Sequence, residues 1–115
     1  MHLVHESGDD RDVLASRVDT ANSFLSQARG LMFRRSIPGD YALAFPFGTA
    51  KSRDLHMVFV PFDIDAIWVV DGHVTHVKRL PAWTGRGKAE ADTIYELPAG
   101  AADAVEPGDR VVIED

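Results

Sequence analysis

Leu55-His56-Met57-Val58-Phe59-Val60-Pro61-Phe62-Asp63-Ile64-Asp65-Ala66-Ile67-Trp68 is the stretch on which the fold turns. It is strongly apolar, yet it holds a histidine, a proline and two aspartates. Packing alone requires none of these. A buried carboxylate is costly unless it is hydrogen-bonded or paired. Each aspartate therefore sits either at a solvated turn or in a pocket with partners. The residues around it are branched and aromatic, which favours strands at 55–60 and 64–70. Asp71-Gly72 follows at once, a strong signal for a two-residue hairpin turn. Its partner strand is then residues 73–80.

Outward from this hairpin the pattern is mostly β. Residues 3–5 and 13–18 read as strands around a Ser7-Gly8-Asp9-Asp10 turn. Residues 41–45 and 93–97 read as further strands, 81–91 as a polar, glycine-bearing loop. Pro107-Gly108-Asp109 turns the chain into a last strand at 110–114. One segment changes period. Phe24, Leu25, Ala28, Leu31 and Met32 fall on one helical face. Asn22 or Ser23 can cap it, giving a helix over 23–34 in which Gly30 marks close backbone approach or an early end. A short second helix is expected over 99–105. The fold class is thus β-rich α+β: a mainly antiparallel β-sandwich or partly open barrel with one helix and a short second helix.

The chain has 115 residues, which makes a single domain spanning 1–115. It has no cysteine, which excludes disulfides, thiolate metal sites and cysteine nucleophiles. The net charge of −6 disfavours nucleic acid as a partner. No run approaches ~18 apolar residues, so no membrane span is expected. The N-terminus lacks the marks of a signal peptide, and a cytoplasmic location is the default expectation. Aspartate outnumbers glutamate, and arginine outnumbers the lysines Lys51, Lys78 and Lys88. An acidic, lysine-poor surface suits concentrated salt. A halophilic source is the expectation, with an ordinary acidic protein as the alternative.

Candidate chemistry is sparse. His2 and His5, like His73 and His76, are three apart and point to opposite faces of a strand. Neither pair forms a metal-ligand motif, and no metal or cofactor is expected. Thr84-Gly85-Arg86-Gly87-Lys88-Ala89 lacks the spacing of a phosphate loop. It reads as a basic loop that can still meet an anion, with Trp83 beside it as an exposed aromatic or a plug. No serine has a nucleophile-elbow context. Asp63 and Asp65 are two apart and would share a strand face. They can act as an acid–base pair or hold a divalent ion. The blander reading has Asp63 accepting backbone N–H groups at a turn and Asp65 in solvent. Arg29 can hold Asp63 in a bidentate pair.

The order of motifs carries more than any one of them. Ala28-Arg29-Gly30-Leu31-Met32-Phe33-Arg34 resembles the "R-G-L-M-x-R" signature of the domain of unknown function 192 family. Ala42-Leu43-Ala44-Phe45-Pro46-Phe47 is similar to its "G-M-L-F-x-F" strand. His56-Met57 falls where the family has Trp-Met, and Val60-Pro61-Phe62-Asp63-Ile64 resembles its "I-P-L-D-I". Asp71-Gly72 resembles its hairpin, Tyr95-Glu96-Leu97-Pro98-Ala99-Gly100 its "V-L-E-L-x-A-G", and Pro107-Gly108-Asp109 its closing "G-D". The resemblance runs from about Val18 onward and implies a small β-rich domain without an assigned function. Here Val58-Phe59-Val60 replaces a polar run, which implies a drier cleft.

Two functional expectations result. The first is a noncatalytic binding or accessory module for a small molecule or a protein, with a ligand cleft near Arg29, His56, Met57 and Asp63. The second is a metal-dependent enzyme or metal-binding protein using His56 with Asp63 or Asp65. The expected core includes Phe24, Leu31, Met32, Phe45, Met57, Ile64 and Val69. Asp65 and Asp71 are expected in solvent and Asp63 at least half buried.

Overall fold

The computed structural model describes residues 1–21 and 30–115. Eight strands follow one another: β1 (His2–Ser7), β2 (Asp10–Ala15), β3 (Arg17–Thr20), β4 (Tyr41–His56), β5 (Ile64–Val70), β6 (His73–Leu80), β7 (Arg86–Pro98) and β8 (Arg110–Glu114). They form a single open sheet in the order β2-β1-β8-β6-β5-β7-β4-β3. Every pairing is antiparallel except β3 with β4. The edge strands β2 and β3 are joined through Ser16 alone. The sheet must therefore curl until its two edges lie near each other. The expected β-rich, mainly antiparallel class holds, but one curled sheet replaces the two packed sheets of a sandwich.

Curling explains why β5 is apolar apart from Asp65. Its residues alternate between two clusters. Ile67 and Val69 join Leu3, Ala44, Tyr95, Leu97 and Val111 on one face. Ile64, Ala66 and Trp68 join Leu31, Tyr41, Leu43, Phe45, Met57, Leu80 and Ile94 on the other. A strand buried on both faces reads as a continuous hydrophobic run. The Asp71-Gly72 turn forms as expected, with both residues at positive φ (54° and 80°), the geometry of a tight hairpin. The loop expected at 81–91 is shorter, because β7 begins at Arg86 and pairs with the far half of β4. β4 likewise runs unbroken through the residues expected to separate two strands, and it ends at His56. Gly87 makes room for Trp68: a Cβ there would lie 2.5 Å from Trp68 Cη2. The Trp68 indole N–H donates to the Arg53 carbonyl at 3.0 Å.

Neither expected helix appears among the described residues. Most of the first, with Phe24 and Arg29, lies outside them. Its remainder, 30–34, is a turn, because Gly30 and Phe33 take φ values of 49° and 67°. Left-handed backbone cannot continue an α-helix. Gly30 does mark close approach: a Cβ there would lie 3.2 Å from Phe45 Cζ. Residues 99–104 make successive turns instead of the second helix. The reason is Asp65, whose carboxylate draws in the N–H groups of Gly100 and Ala102, each at 3.0 Å.

The two aspartates are therefore exchanged relative to expectation. Asp65 is 3% exposed and also holds the Arg79 guanidinium at 2.8 Å. Asp63 precedes the strand and is exposed, accepting the Ala82 N–H at 2.8 Å. Asp71 is exposed as expected. Leu31, Phe45, Met57, Ile64 and Val69 are buried, and Met32 is half-buried.

Candidate functional site

Three turns meet at the end of the β5–β6 hairpin away from Asp71-Gly72. The first covers residues 57–60 and is closed by Val60 N–H donating to the Met57 carbonyl at 3.0 Å. Its ends, Met57 and Val60, are buried anchors, while Val58 and Phe59 project between them. The second covers residues 31–34, closed by Arg34 N–H to the Leu31 carbonyl at 3.3 Å. In each, the third residue is a phenylalanine at positive φ: Phe59 at 62° and Phe33 at 67°. That place in a turn ordinarily goes to glycine or asparagine. The third turn surrounds Trp83 (φ 67°), with Thr84 N–H donating to the Ala82 carbonyl at 2.8 Å. This is the rarer, strained form of the γ-turn.

Hydrogen bonds tie the three turns together. Phe33 N–H donates to the Phe59 carbonyl at 2.8 Å, and Trp83 N–H donates to the Val60 carbonyl at 3.0 Å. Met57 N–H donates to the Gly85 carbonyl at 3.0 Å. Asp63 pins the third turn through Ala82. The Phe33 and Phe59 rings stack with centroids 4.9 Å apart. The result is an apolar tip: Phe33 is 66% exposed, Phe59 50% and Trp83 57%, with Val58 beside them. Single exposed hydrophobics are ordinary, but a contiguous group marks an interaction surface.

Beside the tip, the last rungs of β4 and β7 line a cleft of about 460 Å³ formed by Asp54, Leu55, His56, Arg86, Gly87 and Lys88. His56 is exposed, and its Nδ1 accepts the Val58 N–H at 3.3 Å. Of the residues expected at the site, the structure brings His56, Met57 and Asp63 to this one end. Met57 is a buried anchor, Asp63 a backbone brace, and Arg29 lies outside the described residues. Composition and periodicity could not single out Phe33 and Phe59, because nothing in their neighbourhoods advertises a positive φ. Replacement of the polar run by Val58-Phe59-Val60 was the available signal.

Two buried polar groups stand elsewhere. Glu96 lies on the face covered by Gly30, with Oε1 3.5 Å from where a Gly30 Cβ would sit. That oxygen has no hydrogen-bond partner among the described residues. Burial raises the carboxyl pKa to about 8, and the Arg34 charge only partly offsets this. At the hairpin-turn end of the sheet, buried His5 Nε2 lies 2.7 Å from Asp109 Oδ2. The His5 bond, helped by the Glu106 N–H and Ser7, holds Asp109 below the usual carboxylate range against some desolvation. Among the described residues no group of three or more His, Asp or Glu is placed to hold a metal ion. No helix there is long and apolar enough to cross a membrane.

The chain belongs to the DUF192 family, described as an uncharacterised ACR, whose profile matches residues 4–113. It is 31% identical over 99 residues to a UPF0127 protein of Thermococcus kodakarensis, a match covering 83% of this chain and 63% of that one. The chain thus spans less than two thirds of that relative's length. A UPF0127 protein of Pyrococcus horikoshii is 34% identical over 100 residues, covering 82% of this chain and 84% of that one. Two crystal structures share the fold. A protein of unknown function from Novosphingobium aromaticivorans has a TM-score of 0.80 at 21% identity, covering 97% of this chain and 84% of its own. A protein from Sinorhizobium meliloti, named as a candidate transcription regulator, has a TM-score of 0.83 at 22% identity, covering 96% and 91%.

Proposed function

We propose that this domain is a noncatalytic binding module whose site is the aromatic tip formed by Phe33, Val58, Phe59 and Trp83. The observation that supports it is the backbone beneath the rings. Three bulky aromatics occupy left-handed φ, each at a cost of about 1–3 kcal/mol, where glycine or asparagine would relieve the strain. Strain of this kind gathers at ligand clamps. Packing does not account for it, because all three rings face solvent. Held rigid by the hydrogen bonds between turns, they lose little entropy on binding. The occupant that fits is an apolar or aromatic group lying flat on the rings.

The metal-dependent alternative has less behind it. Both Asp65 oxygens are already engaged by Arg79, Gly100 and Ala102. Asp63 braces Ala82 instead.

Titrating isotope-labelled protein with small aromatic alcohols, such as 3-phenylpropan-1-ol, tests the proposal. Chemical-shift changes should converge on Val58, Phe59, Phe33 and the Trp83 indole. Changes scattered over the sheet, or confined to another surface, would remove the assignment.

A further inference from the structure

We propose that the cleft beside the tip is an anion site, and that the ligand of this domain is an apolar group carrying a carboxylate. This rests on the reading of the tip as a binding surface and adds the polar half of the ligand. Two rungs of the β4–β7 ribbon point side chains to one face, because directly paired residues share a face and so do residues two apart. On the first rung Asp54 pairs with Lys88, and their charges meet at 3.9 Å. That rung is internally neutralised. On the second rung His56 pairs with Arg86. No carboxylate pairs with either side chain among the described residues.

Three details make the second rung a donor array. The Val58 N–H occupies His56 Nδ1. The proton of the neutral ring therefore resides on Nε2, leaving an N–H donor at the free end of the imidazole. The Arg86 guanidinium offers a planar fork matched to a carboxylate. Lys78 reaches across from β6 to donate to the Arg86 carbonyl at 2.7 Å, bringing a further positive charge to the same residue. The Arg86 and Lys78 charges thus lie together on a chain that as a whole carries −6. An anion at the His56–Arg86 rung would meet the guanidinium and the Nε2–H together and balance this positive charge.

The site adjoins the tip through the chain itself. Phe59 is three residues beyond His56, and Trp83 three residues before Arg86. The cleft volume of about 460 Å³ suits a small ligand. A carboxylate at the His56–Arg86 rung would place an attached apolar chain beside Phe59 and Trp83.

The experiment compares 3-phenylpropionate with its neutral counterpart 3-phenylpropan-1-ol by nuclear magnetic resonance titration of the intact chain. The acid should bind at least tenfold more tightly, with saturating shifts at His56 and Arg86. Arg86→Gln should abolish that preference while leaving binding of the alcohol at the tip intact. Equal affinity for acid and alcohol, or a preference unaffected by Arg86→Gln, would overturn the anion site and leave the tip standing. Absence of tip shifts with both compounds would overturn the tip reading itself. Acetate shifting His56 and Arg86 in the Phe59→Asn variant would support the anion site even then. Amide spectra of the variants check that the fold survives.

Discussion

Phe33 and Phe59 meet twice, through a backbone hydrogen bond of 2.8 Å and through ring stacking at 4.9 Å. Each is the third residue of its own turn, and each sits at a φ that favours glycine. Two separate strained turns thus support one aromatic pair.

Replacing either strained aromatic should be cheap for the fold. Phe59→Asn and Trp83→Asn remove unfavourable backbone geometry worth about 1–3 kcal/mol per site. Phe59→Asn also loses a stacking contact of about 0.5–1.5 kcal/mol. Urea midpoints should therefore stay the same or rise, while binding of aromatic ligands falls. A large loss of stability would show instead that the rings serve the core.

Asp65 and Asp63 should respond differently to the same substitution. Asp65→Asn removes one of the two carboxylates that Arg79 holds, Asp103 remaining, and weakens the buried bonds from the Gly100 and Ala102 N–H groups. A loss of about 1–3 kcal/mol is expected. Asp63→Asn keeps an acceptor for the Ala82 N–H in an exposed place and should cost less than about 1 kcal/mol. Chemical denaturation of the two variants checks the contrast.

Glu96 makes stability pH-dependent. Its folded pKa of about 8 lies above the ordinary value of 4.5, so the folded state keeps its proton where the unfolded state has lost it. Stability is then greatest below the unfolded value and declines as pH rises through the window from 4.5 to about 8. A tenfold difference in proton affinity between the two states is worth about 1.4 kcal/mol. Glu96→Gln should flatten this slope in denaturation curves recorded from about pH 4 to 9, a range that brackets the decline. An unchanged slope would mean that another group titrates.

If the acidic, lysine-poor composition is an adaptation to salt, the melting temperature should climb steadily into the molar range. Ordinary screening is nearly complete by about 0.5 M, where the Debye length is a few ångström. A plateau there would identify an ordinary acidic protein.

The turns announced themselves in the sequence wherever their chemistry is local. Asp71-Gly72 needed only its two residues, and Gly30 flagged the close approach over Phe45. The family was legible because its motifs keep their order along the chain. The aspartates were misjudged because their environments are set from far away. Asp65 is buried by residues 98–102, which no local pattern places over β5. Asp63 is exposed because the strand begins one residue later. The helix expected at 23–34 failed in its described part because Phe33 takes a left-handed φ that its side chain gives no reason to expect. The aromatic tip was hidden for the same reason.

The chain has two tryptophans, and the fold separates their surroundings completely: Trp68 is sealed beneath Gly87, while Trp83 stands in solvent. The molecule thus contains two independent optical reporters. Blue-shifted emission from Trp68 will follow unfolding and ignore small quenchers such as iodide. Red-shifted emission from Trp83 will follow whatever settles on the tip. Trp83→Phe leaves a clean gauge of folding, and Trp68→Phe, where the core tolerates it, a clean gauge of occupancy.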